Sequence, residues 1–200
     1  MGEIRHPLPV KLFVGLLTSL PEIVPEVEKK LAGLFGAVDS RSQSFLFDLT
    51  NYYDTEMGTP IYRYFFSFEN LIDPSSIAAA KIKSNELEAL FAVDYPMLRR
   101  PVNLDPGYLE QSKIVLASTK NFFHRVLISS GIYAEVTLHF QDGMWQSFPW
   151  TFPDYKTDNY HRFFRALRNH YRNQLSQMGV RIKSRRSSGE QAGLEQERNE

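Results

Sequence analysis

The stretch Lys11 to Ser19, KLFVGLLTS, constrains the fold more than any other part of the chain. It is continuously apolar between polar ends, too short to cross a bilayer and too uninterrupted for a strand with one wet face. It therefore reads as a strand in the middle of a sheet, covered on both sides. A helix is expected at once after it, because Ser19 and Glu22 fit a capping box and Pro21 and Pro25 suit a first turn. Ile23, Val27, Leu31 and Leu34 share one face of that helix, and Gly36 ends it.

The next segments extend the same logic. Phe45 to Tyr53 and Ile61 to Phe68 are rich in β-branched and aromatic residues and read as an antiparallel pair around EMGTP. Asp73, followed by Pro74, caps a second helix that continues through Ile77, Lys81, Leu87, Leu90 and Phe91. Asn103 to Tyr108, with Pro106 and Gly107 at its centre, reads as a type II turn leading into a strand from Gln111 to Ser118. The order is β-α-β-β-α-β.

In the second half, Phe122 to Ile128 and Ile132 to Phe140 flank Ser129-Ser130-Gly131 as a hairpin, with strand preferred to helix for the first run. Ile132, Ala134, Val136 and Leu138 alternate with Tyr133, Glu135, Thr137 and His139, so the second run should be half buried. Asp142-Gly143 is a type I′ turn signal before Met144 to Phe148. An aromatic link, Pro149 to Tyr155, precedes a helix capped by Thr157 or Asp158, whose apolar stripe is Tyr160, Phe163, Phe164, Leu167, Tyr171 and Leu175. From Gly179 the periodicity stops.

The expected fold is thus α+β, with a ferredoxin-like first half, an added antiparallel β-meander and a closing C-terminal helix. Residues 1–178 form a single domain in this reading, and 179–200 a disordered tail.

Charge and cysteine content narrow the function classes. The chain carries 23 basic and 23 acidic residues, so no global field draws it to nucleic acid or an anionic membrane. Cys is absent, which removes thiol nucleophiles, CxxC redox chemistry and cysteine-bound zinc. No transmembrane or secretory segment is evident, and a soluble cytoplasmic protein is expected.

Four motifs in order, YYDTEMG (Tyr52 to Gly58), NLDPGYL (Asn103 to Leu109), GIYAEVTL (Gly131 to Leu138) and WTFPDY (Trp150 to Tyr155), resemble the uncharacterised bacterial domain-of-unknown-function family 4416 over about Val10 to Leu175. The resemblance implies little chemistry. A GTP-binding label attached to some members does not translate into a P-loop here, because the sequence has no GxxxxGK[ST] and no Gly-Lys pair. LFVGLL and the helix ending LAGLFG are also similar to the start of RNA-recognition motifs, which makes Tyr62, Tyr64, Phe66 and Phe68 a candidate base-stacking face. Burial of those aromatics in the core is the preferred reading.

Candidate site residues come from pairing. A direct hairpin across Ser129 to Gly131 places Arg125 opposite Glu135 and Leu127 opposite Tyr133. An Arg held by a carboxylate can present its fork to a phosphate or carboxylate ligand, and Lys113 on the preceding strand would add a second cation. Loop residues Glu56, Asp105, Asp154 and Tyr155 are the further ligand-binding candidates, with paired carboxylates available for acid and base roles. No metal site is expected: strand parity turns His124 away from Glu135, and His139 lies about 13 Å along the strand from it. No GxSxG elbow is present. Catalytic residues and a cofactor remain unassigned.

Two functions follow, with a ligand-free scaffold as the residual case. The first is binding of a small anionic or nucleotide-like ligand, with hydrolase or transferase chemistry as an extension. The second is single-stranded RNA binding through the sheet aromatics and the Arg162, Arg165, Arg168 and Arg172 stripe.

Overall fold

The structure is a computed structural model that describes residues 2–4 and 6–180; the tail expected beyond 180 lies outside the described residues. In chain order its elements are β1 (Val10–Thr18), α1 (Val24–Phe35), β2 (Val38–Arg41), β3 (Phe45–Leu46), α2 (Asp54–Met57) and β4 (Tyr62–Ile72). They continue as α3 (Ile77–Asp94), β5 (Asn103–Leu109), β6 (Lys113–Ser118), β7 (Val126–Ser129), β8 (Ile132–Gln141), β9 (Met144–Ser147) and α4 (Asp158–Gln177).

The strands make one open, mixed α+β architecture: a nine-stranded sheet in the order β2-β4-β1-β5-β6-β8-β7, with β3 added to β4 and β9 to β8. Every pairing is antiparallel. As its apolar run requires, β1 is buried at every position. Leu12, Val14 and Leu16 pack against α1 and α3 on one side, while Phe13 joins Phe65, Phe164 and the rest of the α4 stripe on the other. Tyr160, Phe164, Leu167, Tyr171 and Leu175 are all buried, as their helical spacing predicts. Among the described residues no helix is long and apolar enough to cross a membrane.

This layering settles the aromatic face of β4. Phe66 and Phe68 are fully buried beneath α1 and α3 with Tyr64 packed beside them, and the opposite face of the strand is covered by α4. Phe66 and Phe68 are thereby closed to a stacking base, while Tyr62 and Tyr64 are half-buried.

Several local expectations are corrected. The capping box does not form, because the Ser19 hydroxyl donates to the Met57 carbonyl and a short 3-10 turn, Pro21–Ile23, precedes α1. The strand expected from Phe45 to Tyr53 stops at Leu46; the chain then leaves the sheet, and Phe47, Met57 and Ile61 close around Leu17 in a small cluster of their own. Asp105-Pro106-Gly107 is strand rather than turn. The ladder to β6 begins only at Gly107, which leaves Pro106 outside it, so the missing N–H does not interrupt that pairing. The strand expected over 122–128 is only Val126–Ser129. Its turn, Ser130-Gly131, has positive φ at both residues, as does Asp142-Gly143, so both hairpins use the two-residue geometry.

Candidate ligand-binding cavity

Arg63 is the centre of the site, and its position follows from a missing side chain. It stands on β4 next to Leu17 in register, and its guanidinium lies across β1 at Gly15, where a Cβ would come within 2.9 Å of Nη1. Beyond Gly15 it reaches Asp105 on β5, donating from Nη1 to Oδ2 at 3.1 Å. Its other arm, Nη2, meets Asp154 Oδ2 at 3.4 Å. The guanidinium is flanked by the Phe47 and Phe65 rings at 5.6 and 5.8 Å, so a fully buried charge is held by two carboxylates and two aromatic faces. Gly15→Ala is expected to push the guanidinium off Asp105 and lower stability by about 1–3 kcal/mol, read by urea unfolding. An unchanged midpoint would show that the crossing does not need the glycine.

The Asp105 side is well supplied with donors. Asn103 donates to Asp105 Oδ2 at 2.7 Å, and Lys81 sits 3.8 Å from Oδ1 while donating to the Leu104 carbonyl at 2.7 Å. Burial would raise the Asp105 carboxyl, but Lys81 and Arg63 together outweigh it and hold it below its ordinary value. Asp154 goes the other way: burial dominates over Arg63 and pushes it up. Glu88, behind Lys81, is also raised by burial. The Tyr53 hydroxyl is pushed up to about 12, chiefly by burial and then by Asp105.

Asp154 and Tyr155 arrive on the aromatic link. Trp150 Nε1 donates to the Val136 carbonyl at 3.0 Å and the Thr151 hydroxyl to the Thr137 carbonyl at 2.6 Å, which clamps the link onto β8. This explains a departure from simple alternation: Glu135 and Thr137, expected on a wet face, are buried. Two buried groups at this centre, Arg63 Nε and the Tyr155 hydroxyl, have no hydrogen-bond partner among the described residues.

The second pole is the pair read from hairpin symmetry. Leu127 faces Tyr133 as expected, and Arg125, just before β7, donates from Nε to Glu135 Oε2 at 2.7 Å. Nη1 donates to the Ser118 hydroxyl and to the Lys120 carbonyl, each at 2.9 Å, leaving the Nη2 amino group outside these bonds. His124 also reaches Glu135 Oε2, at 2.9 Å, contrary to the parity argument. Phe122 to Arg125 is a turn, with Arg125 N donating to the Phe122 carbonyl, so strand alternation does not apply there. No group of three potential ligands gathers around this pair among the described residues.

The two poles share one cavity of about 590 Å³. Of the expected ligand-binding residues, Asp105, Arg125, Glu135, Asp154 and Tyr155 line it, and Lys113 and Glu56 do not. Lys113 lies at the opposite end of β6 from Ser118, roughly 17 Å away, and pairs with Glu110 at 2.8 Å. Glu56 approaches Arg99 and Arg100 at 3.9 and 3.7 Å, and Arg100, which does line the cavity, connects it to the site. Sequence reasoning missed Arg63, Lys81, Arg100 and Lys120. The available signal for the first was a lone charge inside the aromatic run YRYFFSF, on the side opposite Tyr62 and Tyr64.

Each of the four sequence motifs contributes lining residues: Tyr52 and Tyr53, Asn103 and Asp105, Glu135, and Phe152 to Tyr155. The chain matches the family described as Domain of unknown function (DUF4416) over residues 8–171, and it belongs to that family. No curated protein and no solved structure matches it.

Proposed function

We propose that this family member binds a small anionic ligand, a phosphate or carboxylate compound with nucleotides among them, in the cavity between Arg63 and Arg125. One observation carries the reading. Four separated stretches of chain bring five cations, Arg63, Lys81, Arg100, Lys120 and Arg125, against three carboxylates, Asp105, Glu135 and Asp154, in a single hollow. Arg63 is taken up by Asp105 and Asp154, Lys81 by Glu88 at 3.8 Å, and Arg100 by Glu88 and Glu56 at 3.4 and 3.7 Å, so Lys120 and the outer arm of the Arg125 fork are the cations turned toward an anion in this walled site.

Within this reading Glu135 orients Arg125 so that Nη2 meets the ligand's anionic group. Lys120, which donates to the Tyr52 hydroxyl at 2.7 Å, supplies a second contact at the mouth. Asp105 and Asp154 share Arg63 yet are shifted in opposite directions, the division that an acid and a base require. That supports hydrolase or transferase chemistry as an extension, with Asp154 the proton donor and Asp105 the ionised partner. The order β2-β4-β1-β5 and the two helices on one face support reading the first half as ferredoxin-like, within one domain over 1–178.

Titration calorimetry with ATP, GTP and sugar phosphates tests the binding claim. Arg125→Lys keeps the charge but loses the fork and its bonds to Glu135 and Ser118, and is expected to weaken binding about tenfold with some loss of stability, whereas Lys120→Ala, at an exposed contact, should weaken binding with an unchanged unfolding midpoint. Heat from no ligand in the wild-type protein would overturn the proposal, as would binding indifferent to Arg125→Lys and to Lys120→Ala alike.

A further inference from the structure

The cavity has a charged floor and an apolar rim. Arg63, Asp154 and Glu135 are buried within it, whereas Leu49, Tyr52 and Phe152 at its edge are 52, 60 and 43% exposed. The apolar surface then continues away from the opening. Arg125 lies 6.0 Å from the Phe152 ring, and the two residues before His124, Phe122 and Phe123, are 58 and 81% exposed. Phe123 is set edge-on to Trp150 at 6.4 Å, and His124 stacks on the same indole at 5.5 Å, so the patch is built onto the link that forms the cavity wall. Beyond it Val126, Leu127 and Ile128 of β7 are all exposed, with Leu127 on the opposite face of this edge strand from Val126. A run of this kind beside a polar pocket marks a binding surface.

We infer that the ligand is an amphiphile, with an anionic head in the cavity and an alkyl or isoprenoid chain laid over Phe152, Phe123 and the β7 edge. The inference rests on the anion-binding reading above and narrows it. A nucleobase would cover the rim at Tyr52 and Phe152 and leave Phe122, Phe123 and β7 bare. A flexible chain follows the patch from the opening outward, and β7 alone is roughly 13 Å long. The charge pattern fixes the direction of binding, because a chain buried head-out would strand the Arg63, Asp105 and Asp154 group without water or ligand.

Calorimetry with ethyl, butyl, octyl and decyl phosphate, and with the carboxylates of the same chain lengths, all below their micelle concentrations, separates the alternatives. Affinity is expected to rise at least tenfold from ethyl to octyl in the phosphate or the carboxylate series, whichever head the site takes. Phe123→Ser, at an exposed position, should flatten that rise while leaving the ethyl compound unchanged. Binding of ATP or ethyl phosphate with no dependence on chain length overturns the amphiphile and leaves the anion site standing. No binding by any of these probes overturns both. A Phe123→Ser protein that changes its sedimentation behaviour but keeps the full chain-length dependence assigns the patch to contact between copies and also overturns it.

Discussion

Arg63→Met is expected to lower stability by about 2–4 kcal/mol at neutral pH, because it leaves the buried Asp154 without its cation and the partly exposed Asp105 with Lys81 and Asn103 alone. Size is nearly kept, so the loss is electrostatic rather than a cavity effect. The pH dependence identifies it. In the native protein Asp105 is held below its unfolded value, so its contribution is fully present above about pH 4 and disappears as pH falls through the folded value. Asp154 is raised, so its ionisation opposes folding, and protonation relieves it. Without Arg63 both carboxyls move up and protonate in the folded state at milder acidity. The deficit of the variant should therefore be largest near pH 7.5 and markedly smaller near pH 4.5, in paired urea titrations. An equal deficit at both pH values would mean that Arg63 stabilises by packing alone.

Gly107→Ala is expected to cost about 3 kcal/mol, against the usual gain from replacing a strand glycine. An added Cβ would lie 2.7 Å from Leu116 Cδ2, from Phe13 Cζ and from the Val115 carbonyl oxygen. A side chain can turn aside, but the carbonyl belongs to β6, whose partners on β5 are only Gly107, Tyr108 and Leu109. Relief of the clash pulls apart the short ladder that joins the two halves of the sheet. Thermal unfolding of the variant should show a midpoint many degrees below wild type; an equal or higher midpoint would sink the argument.

What could be read in advance depended on how local the determining physics was. β1, the α4 stripe and the Asp142-Gly143 turn rest on periodicity and turn residues within a few positions, and these agree with the structure, whereas the first hairpin turns on Ser130-Gly131 with Ser129 drawn into β7 opposite Ile132. Arg125 and Glu135 were legible because a hairpin converts sequence symmetry into contact. The partners of Arg63 stand 42 and 91 residues away, and nothing in a strand of aromatics says which distant carboxylates will neutralise a lone cation. Asp105 was found for a reason the structure replaces: it is a strand residue aimed at Arg63, not the start of a turn. Lys113 was placed on the correct strand but at the wrong end of it. Lys81 looked like one more position of an amphipathic helix, and only tertiary packing turns its amine toward the Leu104 carbonyl.

β7 and β9 lie end to end along the same border of β8, and between them Trp150 and Thr151 occupy the carbonyls of Val136 and Thr137. An incoming strand would meet two templates of four residues each, interrupted by an indole, instead of one long row of open amides. That interruption works against growth of a nine-stranded sheet into fibres through its own margin, even though the first template is apolar.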